Sequence, residues 1–238
     1  MSNIAIILAR GGSKRLPRKN ILPFHGKPLM AWSIEAALES GLFQRVLVST
    51  DDPEIADIAR QYGADVPFLR QAAADDLASS SEATHAALLQ AQAHWGCAFD
   101  RVAQLMANCP LRGASDIREA MAQFESRAVP SQISCFKFGW MNPWWAMTLS
   151  PEGTPGYIHP QALSSRSQDL PDLYCPTGAL WLARGVEFTE HRTFYMPGHT
   201  FYPMDWRAAL DIDDEADFQM AQAVFHMRSG LKGTCSDN

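Results

Sequence analysis

Apolar and amphipathic segments alternate along the chain up to Gln132. Short apolar runs predict buried strands, and apolar residues at helical spacing predict helices, with Gly41 and Gly63 as helix C-terminal signals. The pattern predicts strands at 4–9, 45–50, 65–69, 101–106 and 178–182, and helices at 28–40, 53–62, 79–95, 116–124 and 215–227. This order is typical of an α/β protein with a mostly parallel sheet and helices on both faces.

The regular alternation stops after Gln132. Residues 133–175 contain Trp140, Trp144 and Trp145, several prolines and few helical signals. We therefore predict that this stretch is an excursion from the main sheet. Its tryptophans fit either a core or a dimer interface, because aromatic residues are enriched at interfaces.

The composition narrows the function classes. The chain has 238 residues, 47% of them hydrophobic, which suffices for one domain over 1–238 with a sizeable core. Its formal net charge of −6 argues against a nucleic-acid partner, because phosphate backbones need a basic face. No stretch has the length of a membrane span, and the first residues do not resemble a signal peptide. The five cysteines form no CxxC pair, so we expect reduced thiols and a cytoplasmic location.

The first strand runs directly into the sequence RGGSKRLPRK, from Arg10 to Lys19. Its glycines let backbone N–H groups approach an anion, and its five cations concentrate positive charge on an acidic chain. These features predict a polyphosphate site, although a basic surface turn is the alternative. The spacing matches neither a P-loop nor a dinucleotide fingerprint. Arg10, Asp51 and Asn108 all follow predicted strands, where α/β folds bind ligands.

A second group of candidate residues is Asp211-Ile212-Asp213. In a strand, residues two apart face the same side, so we expect both carboxylates to point one way. Two close carboxylates repel each other unless a cation lies between them, and Mg²⁺ binds through one or two carboxylates plus substrate phosphates. The motif therefore predicts a magnesium site. A helix start capped by Asp213 or Asp214 explains the same residues equally well.

A third candidate is the polar segment SRSQDLP, residues 165–171, within the irregular region. Its side chains are suited to clamping a hydroxylated acid. A purely structural loop accounts for the same composition, and these residues alone leave both interpretations open.

Several blocks of the sequence resemble the acylneuraminate cytidylyltransferases, the CMP-nonulosonic acid synthetases. The resemblance starts in the cation-rich turn and continues in family order through GKPLMAWSIEAALESGLF, VLVSTDDPEIADIARQYGADVPFLR, CPLR, RSQDLPDLY, TGALW and LDIDDEADF. It implies a GT-A-like (Rossmann-like) nucleotidyltransferase fold with a seven-stranded mixed sheet. It also implies a homodimer in which the excursion reaches toward the partner's active site. The implied reaction transfers CMP from CTP to the anomeric hydroxyl of an acidic nine-carbon sugar and releases pyrophosphate.

The resemblance also implies roles for individual residues, position by position. Catalytic roles fall to Arg10, Lys19, Asp211 and Asp213, and the two aspartates are the implied Mg²⁺ ligands. The implied nucleotide-binding residues are Leu8, Arg10, Gly11, Gly12, Ser13, Lys14, Lys19, Asn20, Arg70, Ala78 and Ser80. The implied residues for the sugar acid are Met106, Asn108, Arg166, Gln168 and Tyr174.

The chain departs from the family pattern on the sugar side. Met106 stands where the family commonly has a glutamine, unless Gln104 or Asn108 substitutes for it, and Ser167 and Thr177 replace an arginine and an asparagine. These departures leave the acceptor open among sialate-like, legionaminate-like and pseudaminate-like acids. A 3-deoxy-octulosonate cytidylyltransferase is a further alternative. A CTP-binding regulator without catalysis and a structural dimerisation module are alternatives of another class.

Overall fold

The computed structural model describes residues 2–70 and 79–233, with side chains up to 228. Within these residues the main sheet has six strands in the order β10-β6-β9-β5-β1-β4. All run in one direction except β9, which is antiparallel to both of its neighbours. The sheet strands are β1 (Asn3–Leu8), β4 (Arg45–Ser49), β5 (Arg101–Met106), β6 (Ser131–Lys137), β9 (Tyr174–Arg184) and β10 (Thr200–Pro203). Two small hairpins pair β2 (Pro23–Phe24) with β3 (Lys27–Pro28) and β7 (Met147–Leu149) with β8 (Pro155–Tyr157).

Helices cover both faces of the sheet. They are α1 (Leu29–Ser40), α2 (Pro53–Gln61), α3 (Ser80–Trp95), α4 (Ala114–Arg127), α5 (Gly185–His191), α6 (Trp206–Ala209) and α7 (Glu215–Gly233). Successive residues of β1 point to opposite faces. Ala5 and Ile7 therefore pack with α1, α2 and α4, and Ile4 and Ile6 pack with α3 and α5. The predicted α/β fold with a mostly parallel, helix-flanked sheet is confirmed.

Helix boundaries follow local chemistry. Gly41 ends α1 with a φ of 69°, a left-handed conformation that glycine adopts at little cost. Ser79 begins α3 through a capping box: its hydroxyl accepts from the N–H of Glu82, whose carboxylate accepts from the N–H of Ser79. Both signals are readable in the sequence, so the predicted helices lie within a few residues of the observed ones.

The predicted strand at 65–69 does not form. Asp65 makes only an isolated parallel bridge with Leu47, in which its N–H donates to Val46 and its carbonyl accepts from Val48. Pro67 follows and has no N–H to continue the ladder. The main sheet has six strands within the described residues, whereas the family resemblance implied seven.

The segment that leaves the sheet is shorter than the predicted stretch 133–175. Residues 133–137 continue β6 and 174–175 begin β9, and these strand ends pair with each other. We call residues 138–173 the excursion; it contains the hairpin of β7 and β8. Trp140 in the excursion is 88% exposed and does not belong to the core of the chain.

A third apolar cluster fixes the end of the chain against its beginning. Ile212, Phe218 and Val224, which precede or lie on α7, pack against Phe24 of β2 and Leu29 at the start of α1. The loop before α7 is thereby held close to the turn after β1. Within the described residues, no helix combines the length and the apolar character needed to cross a membrane.

Gly185 at the start of α5 allows a close backbone approach. A Cβ atom at this position would overlap the carbonyl oxygen of Phe99, which belongs to the backbone and cannot rotate away. We predict that Gly185→Ala lowers the free energy of unfolding by about 3 kcal/mol, the upper range for overpacked sites. Urea denaturation measures the loss, and Gly139→Ala, where a Cβ meets nothing within 4 Å, is the matched control. Equal stabilities of the two variants would contradict this prediction.

Candidate active site

A cleft of about 510 Å³ opens at the carboxyl ends of β1 and β5. Such strand ends are the usual ligand sites of open α/β sheets. The cleft is lined by Leu8, Arg10, Ser13, Lys14, Arg15, Leu16, Lys19, Asn20, Arg70, Ser79, Ser80, Ala83, Met106, Asn108 and Asp213. Residues from the first strand, the middle of the chain and the loop before α7 therefore meet in one place.

Hydrogen bonds hold the glycine turn from both sides. The N–H of Gly11 donates to Oδ1 of Asp51 at 3.0 Å, and Nδ2 of the buried Asn20 donates to the carbonyl of Arg10 at 2.9 Å. The N–H of Ser13 closes the turn by donating to the carbonyl of Gly11. The turn is thus preformed around the cations that it carries.

Gly11 lies so close to the start of α2 that only hydrogen fits on its Cα. A Cβ atom there would lie 2.7 Å from Oδ2 of Asp52. Asp52 cannot easily move, because it caps α2 through the N–H groups of Glu54 and Ile55 and pairs with Arg18. At Gly12, by contrast, a Cβ atom would meet nothing within 4 Å.

Asp211 and Asp213 lie in a loop between α6 and α7, so the predicted strand for this motif is wrong. Two hydrogen bonds tie the loop to the end of β5: Ile212 N–H donates to the Asn108 carbonyl, and Asn108 Nδ2 donates to the Ile212 carbonyl. Asp214 accepts from the N–H of Asp217 in the first turn of α7. The capping role therefore falls to Asp214, and Asp213 faces the cleft.

Cations of the turn reach the carboxylate of Asp213. Lys19 Nζ lies 2.8 Å from its Oδ1, and Arg15 Nη2 lies 2.5 Å from its Oδ2. Burial raises the pKa of Asp213, but hydrogen bonds and charges from Lys19 and Arg15 outweigh this and hold it below the usual range. Asp211 is solvent-exposed and is not among the residues that line the cleft, although partial burial and then repulsion from Asp213 raise its pKa.

The start of α3 and Arg70 form the far wall of the cleft. Arg70 is 5% exposed and its N–H donates to the carbonyl of Thr50. Burial lowers the pKa of Arg70, and the nearby Asp51 partly offsets that effect. Ser80 begins α3 at the same wall, where helix N–H groups favour an anion. Ala78, also a predicted nucleotide-binding residue, lies outside the described residues.

The five residues predicted for the sugar acid do not come together. Met106 and Asn108 line the cleft, whereas Arg166, Gln168 and Tyr174 do not. Arg166 pairs with Asp169 in the excursion, Gln168 lies in a short 3-10 turn, and Tyr174 is half-exposed at the start of β9.

Gln104 does not replace the missing glutamine at position 106. Its side chain is completely buried beneath the cleft, and its Oε1 accepts from Thr84 Oγ1 at 2.7 Å. Met106 instead fills the space beside Gly178, where a Cβ atom would lie 2.8 Å from Met106 Cγ. The cleft wall at position 106 is therefore apolar.

Sequence reasoning assigned no individual site role to several residues that the structure brings to the cleft or its turn. Arg15 and Ser79 line the cleft, and Asp51 and Asp52 accept hydrogen bonds from the turn. Arg15 belongs to the cation-rich turn, and Asp51 follows a predicted strand, so the sequence indicated that both residues lie near the site. It did not indicate their partners, Asp213 for Arg15 and Gly11 for Asp51, because these are distant in the chain.

Comparisons with known proteins point to one family of enzymes. The model of the cytidylyltransferase family matches residues 4–137, more than half of the chain. A pseudaminic acid cytidylyltransferase of Campylobacter jejuni subsp. jejuni is 35% identical over 229 residues, covering 94% of this chain and 97% of the relative. A CMP-N,N'-diacetyllegionaminic acid synthase of Legionella pneumophila is 32% identical and covers 95% and 97%.

These matches define a nucleotidyltransferase enzyme. The chain belongs to the cytidylyltransferase family, and its resemblance to the CMP-nonulosonic acid synthetases is confirmed. Among solved structures, a CMP:2-keto-3-deoxy-manno-octonic acid synthetase complexed with CTP aligns with a TM-score of 0.69, covering 96% of this chain and 100% of that chain. At 17% identity this likeness speaks for the shared fold, as the resemblance predicted.

We predict that Gly11→Ala weakens binding of CTP by roughly tenfold, because the added methyl group pushes the turn away from Asp52. Isothermal titration with CTP measures the loss. Gly139→Ala, at a residue outside the cleft where there is room for a methyl group, is expected to bind CTP with unchanged affinity. Equal losses in both variants would mean that the close approach at Gly11 is irrelevant.

Proposed function

We propose that the protein transfers CMP from CTP to the anomeric hydroxyl of an acidic nine-carbon sugar and releases pyrophosphate. The observation that carries this proposal is the ion pair of Lys19 with Asp213, because it joins the cation-rich turn to the aspartate loop in one cleft. Cations alone suit any polyphosphate. A cleft with both sets of charges suits displacement at the α-phosphorus of a nucleotide, which depends on positioning and charge stabilisation.

In this proposal the triphosphate lies against the glycine turn. Arg10, Lys14 and Lys19 neutralise its charge, and Gly12 and Ser13 offer backbone donors. The sugar hydroxyl attacks the α-phosphorus in line and gives its proton to a loop aspartate or to water, while pyrophosphate leaves from the opposite side. The cations that neutralise the triphosphate also stabilise the charge that develops on the leaving group.

The nucleoside end lies toward the start of α3. Arg70 is buried at this wall, and Ser80 is the first residue of α3. We assign the base and ribose to this wall, together with Leu8 at the end of β1. From the sequence alone, we propose that Ala78 also contributes to nucleotide binding beside Arg70 and Ser80.

The residues of the aspartate loop fit a magnesium ion, which we propose as the cofactor. Asp211 and Asp213 are two residues apart in one loop, and burial and then repulsion from Asp213 raise the pKa of Asp211, so a shared cation would stabilise both carboxylates. Asn108 Oδ1 is buried and lacks a hydrogen-bond partner within the described part of the chain, although its Nδ2 lies 3.4 Å from Asp213 Oδ1. When bound, Mg²⁺ supplies charge neutralisation at phosphate oxygens.

We infer an acceptor of the nonulosonic class. The relatives of similar length carry names for pseudaminic and legionaminic acids, and a pseudaminate-type acceptor is the narrower form of this proposal. The apolar wall at Met106 and the polar group of Asn108 face the space next to the nucleotide site. An acceptor with both an apolar substituent and hydroxyl groups matches this lining.

We also propose that the enzyme acts as a cytoplasmic homodimer whose single domain spans 1–238. The excursion exposes Trp140, Met141, Leu149 and Ile158, each more than half exposed, and an apolar surface of this kind favours association. Pairing through the excursion would bring its sugar-binding candidates, Arg166, Gln168 and Tyr174, to a partner's cleft. The location is supported by free thiols at Cys97, Cys109, Cys135 and Cys175.

The reaction is tested by pyrophosphate release from CTP with a panel of acid sugars. We expect release with at least one of pseudaminic, legionaminic and N-acetylneuraminic acid, and much slower release with the eight-carbon 3-deoxy-octulosonic acid. Binding of CTP without release for any acid would favour the regulator and overturn the proposal.

The same assay tests the acidic loop. We expect Asp211→Asn to lower turnover about a hundredfold, the usual cost of losing one preorganised charged group. Asp214→Asn is the matched control, because it removes a neighbouring charge and retains a side chain that caps α7. Similar turnover by the two variants would remove Asp211 from the mechanism.

We predict that Trp140→Asp shifts the enzyme toward monomers, because a charge at the centre of an apolar contact must be desolvated. Light scattering after gel filtration measures the change in mass. Val186→Asp, at a residue 77% exposed on α5, serves as the control and should leave the mass unaltered. A monomeric wild type, or a dimeric Trp140→Asp variant, would argue against an interface at the excursion.

A further inference from the structure

One carboxylate in the cleft is occupied on both of its oxygens by side chains of the protein. Asp213 Oδ1 accepts from Lys19 and Asp213 Oδ2 accepts from Arg15. Since a carboxylate binds Mg²⁺ through the same oxygens, a metal ion must displace at least one of these cations. The arrangement therefore bears on how the proposed metal site forms.

We propose that Arg15 is a placeholder for the metal ion on Asp213 and a binding residue for the triphosphate when the nucleotide enters. This inference rests on the proposed function. Arg15 leaves Asp213, the metal ion takes its place, and the guanidinium turns to phosphate oxygens, which it can bind through two donors at once.

The two cations on Asp213 differ in how easily they move. The side chain of Lys19 is 14% exposed, and Lys19 lies in the short 3-10 helix Lys19–Ile21. The side chain of Arg15 is 65% exposed and lies in an irregular part of the turn. Breaking an exposed ion pair costs little free energy, so we expect the metal ion to displace Arg15 from Asp213 rather than Lys19.

Charge balance favours the exchange only when the nucleotide is present. Arg15 and Lys19 both pair with Asp213, so its carboxylate is already neutralised when no metal ion is bound. A metal ion that binds alone must displace Arg15 and leaves the guanidinium without a charged partner from this loop. A triphosphate offers Arg15 new partners, so nucleotide and metal ion strengthen each other's binding reciprocally.

The experiment measures binding without turnover. Mn²⁺, titrated into the nucleotide-free protein and followed by the electron paramagnetic resonance signal of the free ion, reports on Asp213. We expect Arg15→Met to bind Mn²⁺ about two- to fivefold more tightly than wild type, the range for release of one exposed ion pair. Isothermal titration with CTP in the absence of metal is expected to show weaker binding by Arg15→Met and recovery in Arg15→Lys.

Arg18→Met is the matched control, because it removes the same charge from the same turn. Arg18 pairs with Asp52 and Glu54 and has no ion pair with Asp213. Equal Mn²⁺ affinities of Arg15→Met and Arg18→Met would overturn the placeholder role, and equal CTP affinities would overturn the nucleotide role. If wild type failed to bind CTP, the proposed function would fail, while the Mn²⁺ titration would still decide on the placeholder.

Discussion

The reciprocal hydrogen bonds between Asn108 and Ile212 hold the acidic side of the cleft in place. They tie the end of a central strand to a loop that follows it by about a hundred residues. The side chain of Ile212 is completely buried in the apolar cluster beneath α7, so the loop is anchored on both of its faces. This anchoring opposes the repulsion between Asp211 and Asp213, which otherwise drives the carboxylates apart. The geometry between turn and loop depends on it.

Much of the fold follows from local sequence because its signals are local. Apolar runs mark the central strands, Gly41 ends a helix, and Ser79 with Glu82 begins another. The misplaced strand at 65–69 shows the limit of this reasoning. Its composition suits a strand, but whether a strand forms depends on a neighbour with free hydrogen-bonding groups, and Pro67 removes a donor from its own side.

The site was predictable where one short segment carries several of its residues. Arg10, Lys14 and Lys19 line the cleft, and Asp213 joins them from the far end of the chain. The contact of Arg15 with Asp213 was beyond sequence reasoning, because it depends on side-chain direction within an irregular turn. Arg166 and its neighbours lie away from the cleft for a related reason: the excursion has few contacts with the sheet that could fix its direction from sequence alone.

The excursion leaves and re-enters the sheet at a single point. Lys137 and Tyr174 are paired across β6 and β9, and Lys137 forms an ion pair with Asp172 at the same base. A segment rooted in this way can change in length or sequence at little cost to the strands beneath it, since loop-closure entropy grows slowly with length. The excursion can therefore vary in evolution while the sheet, which positions the cation-rich turn at the cleft, stays unchanged.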